Sequence, residues 1–254
     1  MGRPGIAAID DIGVAEHEAV LTVVFAEGMR PDAEAIASLA TVAGDGLSFS
    51  ISHQPDRSEG WVELLARGLT FDCQGLEPAG AAHTPLAGAL VGLAQQPGGE
   101  CIALTPAPHL AAGKGLLPVV SVQAGIGARL AGLPGAQAVV WQPARSWMAP
   151  DYFRRLMHDW QSGGAFPALG LTSLQFEANG AMVTHGLELL IGQELRIEAG
   201  HQMKAADLAK IAVRLIHQLV NEGPLHETTE IVGPGGERLV AVPVRDALQL
   251  RVMV

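Results

Sequence analysis

Apolar and polar positions alternate along much of this chain with a period of two, the mark of strands with one buried face. The cleanest run is "LSFSISH", which sets Leu47, Phe49, Ile51 and His53 on one side and serines on the other. "LTFDCQ" repeats the pattern and turns Leu69, Phe71 and Cys73 inward. "AVLTVVFAEG" is instead continuously apolar and rich in β-branched residues, as a central strand requires. "CIALT" and "AVVW" are shorter runs of the same kind. Helical spacing interrupts these strands. "RPDAEAIASLATVAG" predicts a helix with Pro31 in its first turn, Asp32 and Glu34 at its positive end, and Gly44 as its stop. "PVVSVQAGIGARLAG" leads into or forms another.

The second half repeats the mixture. "SWMAPDYFRRLMHDWQSGG" predicts a helix with Pro150 near its start and Phe153, Leu156, Met157 and Trp160 on one face. "KAADLAKIAVRLIHQLVNEGP" places Leu208, Ile211, Ala212, Leu215, Ile216 and Leu219 at helical spacing before Gly223-Pro224 stops it. "TTEIV" and "ERLVAV" flank "GPGG" as a hairpin, and "ALQLRVMV" alternates to the end. This order predicts an α+β fold: two ferredoxin-like-type halves, mainly antiparallel sheets backed by helices, packed as one globule. Residues 1–16 lack periodicity and read as a loose tail. A soft boundary near Arg145 separates an N-terminal half, 17–145, from a C-terminal half, 146–254.

Composition narrows the function classes. A chain of 254 residues, 48% apolar and only 4% aromatic, builds its core from Ala, Val, Leu and Ile. The net charge of −10 opposes a phosphate-binding surface, so nucleic acid is not an expected partner. The densest basic group, Arg145, Arg154 and Arg155, reads as a solvated helix face. No apolar window has transmembrane length, and Asp10 and Asp11 interrupt any leader-like segment, so no membrane role is expected. Cys73 and Cys101 fall in strand-like runs and read as free buried thiols of a cytoplasmic protein.

Most tempting motifs fail on their own chemistry. "AGIGARLAG" has Leu130 at the third glycine position, and Gln142 stands where a dinucleotide fold needs an acid. Close packing of a small-residue helix on a sheet explains Gly125 and Gly127 better. "AAGKG" lacks the frame that cradles phosphates and reads as a loop. "HETTE" lacks the second histidine of a zinc helix. No cofactor or metal is expected.

The stretch from Met182 to Gly200, "MVTHGLELLIGQELRIEAG", is the candidate site. If "AMVTHG" and "LELLI" are both extended, Gly186 marks a bulge or a close backbone approach, and Gly192 a turn or second bulge. Two such irregular strands would gather Thr184, His185, Glu188 and Glu194 around one cleft. Two carboxylates and a histidine suit general acid–base work or a divalent ion. They equally suit a solvent-facing strand surface.

The order T-x-G-L-E-L-L-I-G-x-E-L-x-I, from Thr184 to Ile197, resembles the signature of a bacterial family, domain of unknown function 4261. The match lies at Thr184, Gly186, Leu187, Gly192, Glu194, Leu195 and Ile197. Ile191 departs from the family's usual Phe, and a later Gly-(Asp/Glu)-Thr element survives only in "HETTEIV". The resemblance covers the C-terminal half well and the N-terminal half weakly. It implies no activity. The sequence therefore favours a non-catalytic binding or protein-interaction module, with an unknown protein or small-molecule partner and a possible homodimer. A small-molecule enzyme using the His/Glu cluster is the alternative.

Overall fold

A computed structural model describes residues 20–41, 47–198, 203–236, 238–244 and 249–253. The expected N-terminal tail and the Gly44 helix stop lie outside the described residues. The fold is α+β, with two mainly antiparallel sheets backed by helices.

The first sheet uses β1 (Leu21–Phe25), β2 (Ser50–His53), β3 (Trp61–Ala66), β4 (Leu69–Gln74), β5 (Ala89–Val91), β6 (Glu100–Pro106), β7 (Ala136–Trp141) and β8 (Ser146–Met148). They lie in the order β2-β3-β4-β6-β1-β7-β8-β5, antiparallel except for β5 with β8. β1 lies deep within the sheet, and Val23 faces Ile102 on one neighbour and Val139 on the other. Both of its faces are covered, which is why "LTVVF" is apolar throughout rather than alternating. Leu21, Val23 and Phe25 enter the main core. Val24 turns the opposite way, into a small cluster with Cys101, Ala138, Val140 and Trp147. The segment after β4 roofs that cluster, and the Trp147 indole N–H donates to the Leu86 carbonyl at 2.9 Å.

Helices α1 (Ala33–Thr41), α2 (Leu117–Leu130) and α3 (Pro150–Gln161) back this sheet. Gly127 lets α2 press against β1: a Cβ there would sit 2.6 Å from Leu21 Cδ1. Gly125 makes the same approach to the Gln161 side chain of α3. The glycines of "AGIGARLAG" thus serve packing. Because α3 lies on α2 and β7, the change from one layer to the next falls after Gln161 and not at Arg145.

The second sheet has the order β12-β13-β14-β11-β10-β9. Its strands are β9 (Ser173–Phe176), β10 (Met182–His185), β11 (Glu194–Glu198), β12 (Thr229–Val232), β13 (Arg238–Val244) and β14 (Gln249–Met253). Only β11 and β14 run parallel. Sheets of eight and six strands exceed the four-stranded ferredoxin-like unit. Two short helices, α4 (Ala168–Leu171) and α5 (Leu187–Ile191), meet the long α6 (Ala205–Glu222), which packs on β10 and β11. Its buried stripe of Leu208, Ile211, Ala212, Leu215, Ile216 and Leu219 is the one its spacing predicts. Each such leucine contributes about 1.5–3 kcal/mol of burial. One apolar cluster runs from Leu21 to Val252 and joins the layers.

"LELLI" is helical, not extended. Gly186, with φ of 87°, ends β10 in a left-handed turn, and Gly192, with φ of 75°, ends α5 in another. Both glycines therefore bound a single helical turn and neither makes a bulge. A short apolar run between two turns has no period long enough to separate helix from strand.

Candidate functional site

The loop 108–116, the 3-10 turn Gln142–Ala144 and the β10–α5–β11 unit meet where the layers join. They enclose a cleft of about 440 Å³ whose polar lining is Lys114, Arg145, His185, Glu188 and Glu194. Two glycines allow this meeting. A Cβ on Gly186 would lie 2.9 Å from the Ala144 nitrogen and 3.0 Å from its Cα. One on Gly115 would lie 1.8 Å from the Leu189 carbonyl oxygen. The close backbone approach expected at Gly186 is present, made to the other layer.

Behind the cleft, Thr184 and Glu194 form a closed hydrogen-bond knot. Thr184 is buried, and its hydroxyl donates to Glu194 Oε2 at 2.5 Å while accepting from the Leu195 N–H at 2.7 Å. Glu194 Oε1 accepts the Glu188 N–H at 3.1 Å, and the Gly186 N–H adds a further donor. The carboxylate thereby caps the start of α5 and ties β10 to β11. Leu187, Leu195 and Ile197 point into the core. Every position of the T-x-G-L…G-x-E-L-x-I pattern thus has a packing, turn or capping duty.

Burial raises the Glu194 carboxyl above 4.5; the donors from Thr184, Glu188 and Gly186 pull it back, and nearby Glu188 adds to the rise. His185 is pushed the other way, below 6.5, first by burial and then by the Arg145 charge. Its Nε2 lies 2.9 Å from Gln175 Oε1, which accepts from it in the Nε2–H tautomer. Glu194 and His185 therefore both lean toward their neutral forms. Fixed charge at the cleft comes from Lys114, Arg145 and Glu188.

Of the residues singled out from sequence, His185, Glu188 and Glu194 line one cleft, and Thr184 stands behind it as the bond partner of Glu194. Sequence reasoning missed Lys114 and Arg145. Arg145 is not on a helix face; it follows the 3-10 turn with φ of 48°, a left-handed conformation uncommon for a side-chain-bearing residue. "AAGKG" is a loop, as its composition suggests, yet it forms one wall of the cleft. Its glycine spacing was the available signal, though nothing in it pointed to α5 as the neighbour.

Other candidates lie elsewhere. His226 and Glu227 are exposed ahead of β12, and His53 is exposed beside Trp61 with ring centroids 5.4 Å apart. Cys73 and Cys101 are free and buried, the first with its thiol pushed up to about 12 by burial. Among the described residues no group of three or more His, Cys, Asp or Glu side chains is placed to hold a metal, and no helix is long and apolar enough to cross a membrane. No protein-family model, curated protein or solved structure matches the chain.

Proposed function

We propose that the protein is a non-catalytic binding module whose seam cleft takes a small polar ligand bearing an anionic group. The observation that carries this reading is the state of Glu194. Both of its oxygens already accept hydrogen bonds from the chain, so the group is engaged in holding the β10–α5–β11 turn together. Burial biases Glu194 and His185 toward their neutral forms, and Lys114 and Arg145 set two positive charges beside the one negative charge of Glu188, in an otherwise acidic chain. A concave pocket with a few convergent polar groups at a junction of layers is a common ligand site. Membership of the domain of unknown function 4261 family is part of the same proposal, supported by the matched residues from Thr184 to Ile197. Cytoplasmic residence is supported by the free buried thiols.

A thermal-shift screen with glutamate, citrate and inorganic phosphate tests the reading. A binding ligand raises the melting temperature by mass action. We expect a shift that Lys114→Ala removes while leaving the melting temperature of the unliganded protein unchanged. A flat response to all these probes, with wild-type protein fully folded, would overturn the anionic-ligand reading. The second reading, a small-molecule enzyme, draws on the raised Glu194 carboxyl sharing the cleft with His185. It requires consumption of a bound probe that stops in His185→Ala.

A further inference from the structure

We propose that the outward face of the first sheet carries a second binding site, a groove for a neutral saccharide. It is separate from the seam cleft and does not depend on it.

Strand register builds the floor. Trp61 pairs with Gln74, Gln74 with Ala103, and Ala103 with Thr22, so these residues form one cross-strand row over β3, β4, β6 and β1. Neighbouring strands lie about 4.8 Å apart, so the row is about 14 Å long, enough for a disaccharide. Four adjacent strands also make a rigid floor, which limits the ordering a ligand must impose. The segment Gly80–His83 walls one side, held where the Ala82 N–H donates to the Cys101 carbonyl at 2.8 Å. Gln142 stands at the far end, its amide 3.4 Å from the Thr22 hydroxyl. The enclosed volume is about 520 Å³.

The lining chemistry selects the ligand class. Amides and a hydroxyl from Gln74, Gln142 and Thr105 both donate and accept hydrogen bonds, which is what a sugar hydroxyl needs. Among the described residues, the Gln74 and Thr105 side chains have no protein partner for those bonds. Between the polar groups lie Ala81, Ala82 and Ala103, with the Trp61 indole at one end, surfaces suited to the C–H faces of a pyranose ring. The indole N–H is directed to Glu59 Oε2 at 3.2 Å, which fixes the ring at the groove edge. No Lys or Arg stands among the described lining residues, so an anionic ligand would lose its water there without gaining a counter-charge.

The test is saturation-transfer difference NMR on the full chain with maltose, cellobiose and chitobiose, and glutamate as a charged control. We expect transfer to at least one disaccharide, and any transfer to glutamate, a seam-cleft probe, to vanish in Lys114→Ala and persist in Gln74→Ala. Gln74→Ala, at an exposed position, should raise the Kd about tenfold through the loss of its amide bonds. Trp61→Ala should do the same, and Lys114→Ala should leave saccharide binding unchanged. No transfer from the folded wild-type chain to any of the three sugars overturns the proposal. So does binding that Gln74→Ala and Trp61→Ala both leave intact, or binding that Lys114→Ala abolishes, since that would place the sugar in the seam cleft.

Discussion

At the residue scale, the Thr184–Glu194 knot explains why a small set of side chains holds the second layer's turn in place. Thr184→Val keeps the shape of the side chain but leaves Glu194 Oε2 and the Leu195 N–H without their partner. An unfolding titration in urea should show a loss of about 3 kcal/mol, because stranded buried polar groups cost more than the bond itself contributes. Gly186 and Gly192 make a matched pair for separating strain from crowding. Both have positive φ, but only Gly186 has backbone within reach of a new Cβ. Gly192→Ala should cost about 1 kcal/mol, from the left-handed conformation alone. Gly186→Ala should cost about 3 kcal/mol or more, since Ala144 must also move. Equal losses in the two variants would show that the contact with Ala144 contributes nothing.

The same residues set a pH dependence of definite sign. The folded chain holds the Glu194 proton above its ordinary 4.5, so this group favours the fold most below 4.5 and loses that contribution as pH rises through the raised value. His185 acts from the other side. Its folded value lies below 6.5, so the unfolded chain takes the proton first, and stability falls as pH drops below 6.5. Carbon-13 NMR titration of the two side chains should find Glu194 still protonated where exposed glutamates have ionised. It should find His185 still neutral where exposed histidines have charged. A Glu194 that titrates with the exposed glutamates would remove the first half of this account.

At the element scale, legibility followed period and length. α6 was readable because its 18 residues repeat one apolar stripe over several turns. The alternating faces of β4 and the apolar density of β1 were equally plain. "WVELLA" was not picked out, although β3 alternates with Val62, Leu64 and Ala66 buried, because Leu65 breaks the polar face and blurs the period. β5 and β8 are too short for any pattern to register. α5 was ambiguous for the same reason. The candidate residues of the β10–α5–β11 unit were legible as a group because they are close in sequence. Lys114 and Arg145 were not, because a cleft wall supplied by a distant loop leaves no periodic trace. That wall can be tested through Gly115. Its Cβ would collide with the Leu189 carbonyl of α5, so Gly115→Ala should push the loop away and expose the cleft. Amide hydrogen exchange should then rise at both Lys114 and Leu189, whereas a rise confined to the loop would mean that the two elements are not docked.

At the scale of the whole molecule, the question is whether two sheets make two folding units. Sequence placed a soft boundary at Arg145, yet α3 beyond it lies on the first sheet, and the main core is continuous from β1 to β14. Phe166, Ala168 and Leu171 belong to that core, so the passage between the sheets is itself buried. Neither sheet can shed the other without exposing apolar surface. The chain should therefore unfold in one cooperative step despite its two sheets. The placement of its tryptophans makes this easy to check. Trp61, Trp141, Trp147 and Trp160 all lie on elements of the first layer, so their fluorescence reports mainly that layer. Far-UV circular dichroism reads the helices of both layers, α6 of the second among them. Coincident urea curves from the two probes are expected, and Leu215→Ala, which opens a cavity beneath α6, should shift both together by about 2–5 kcal/mol. Curves that separate, with ellipticity lost before fluorescence, would mean that the second sheet melts on its own, and the seam cleft would then be an interface between independent domains.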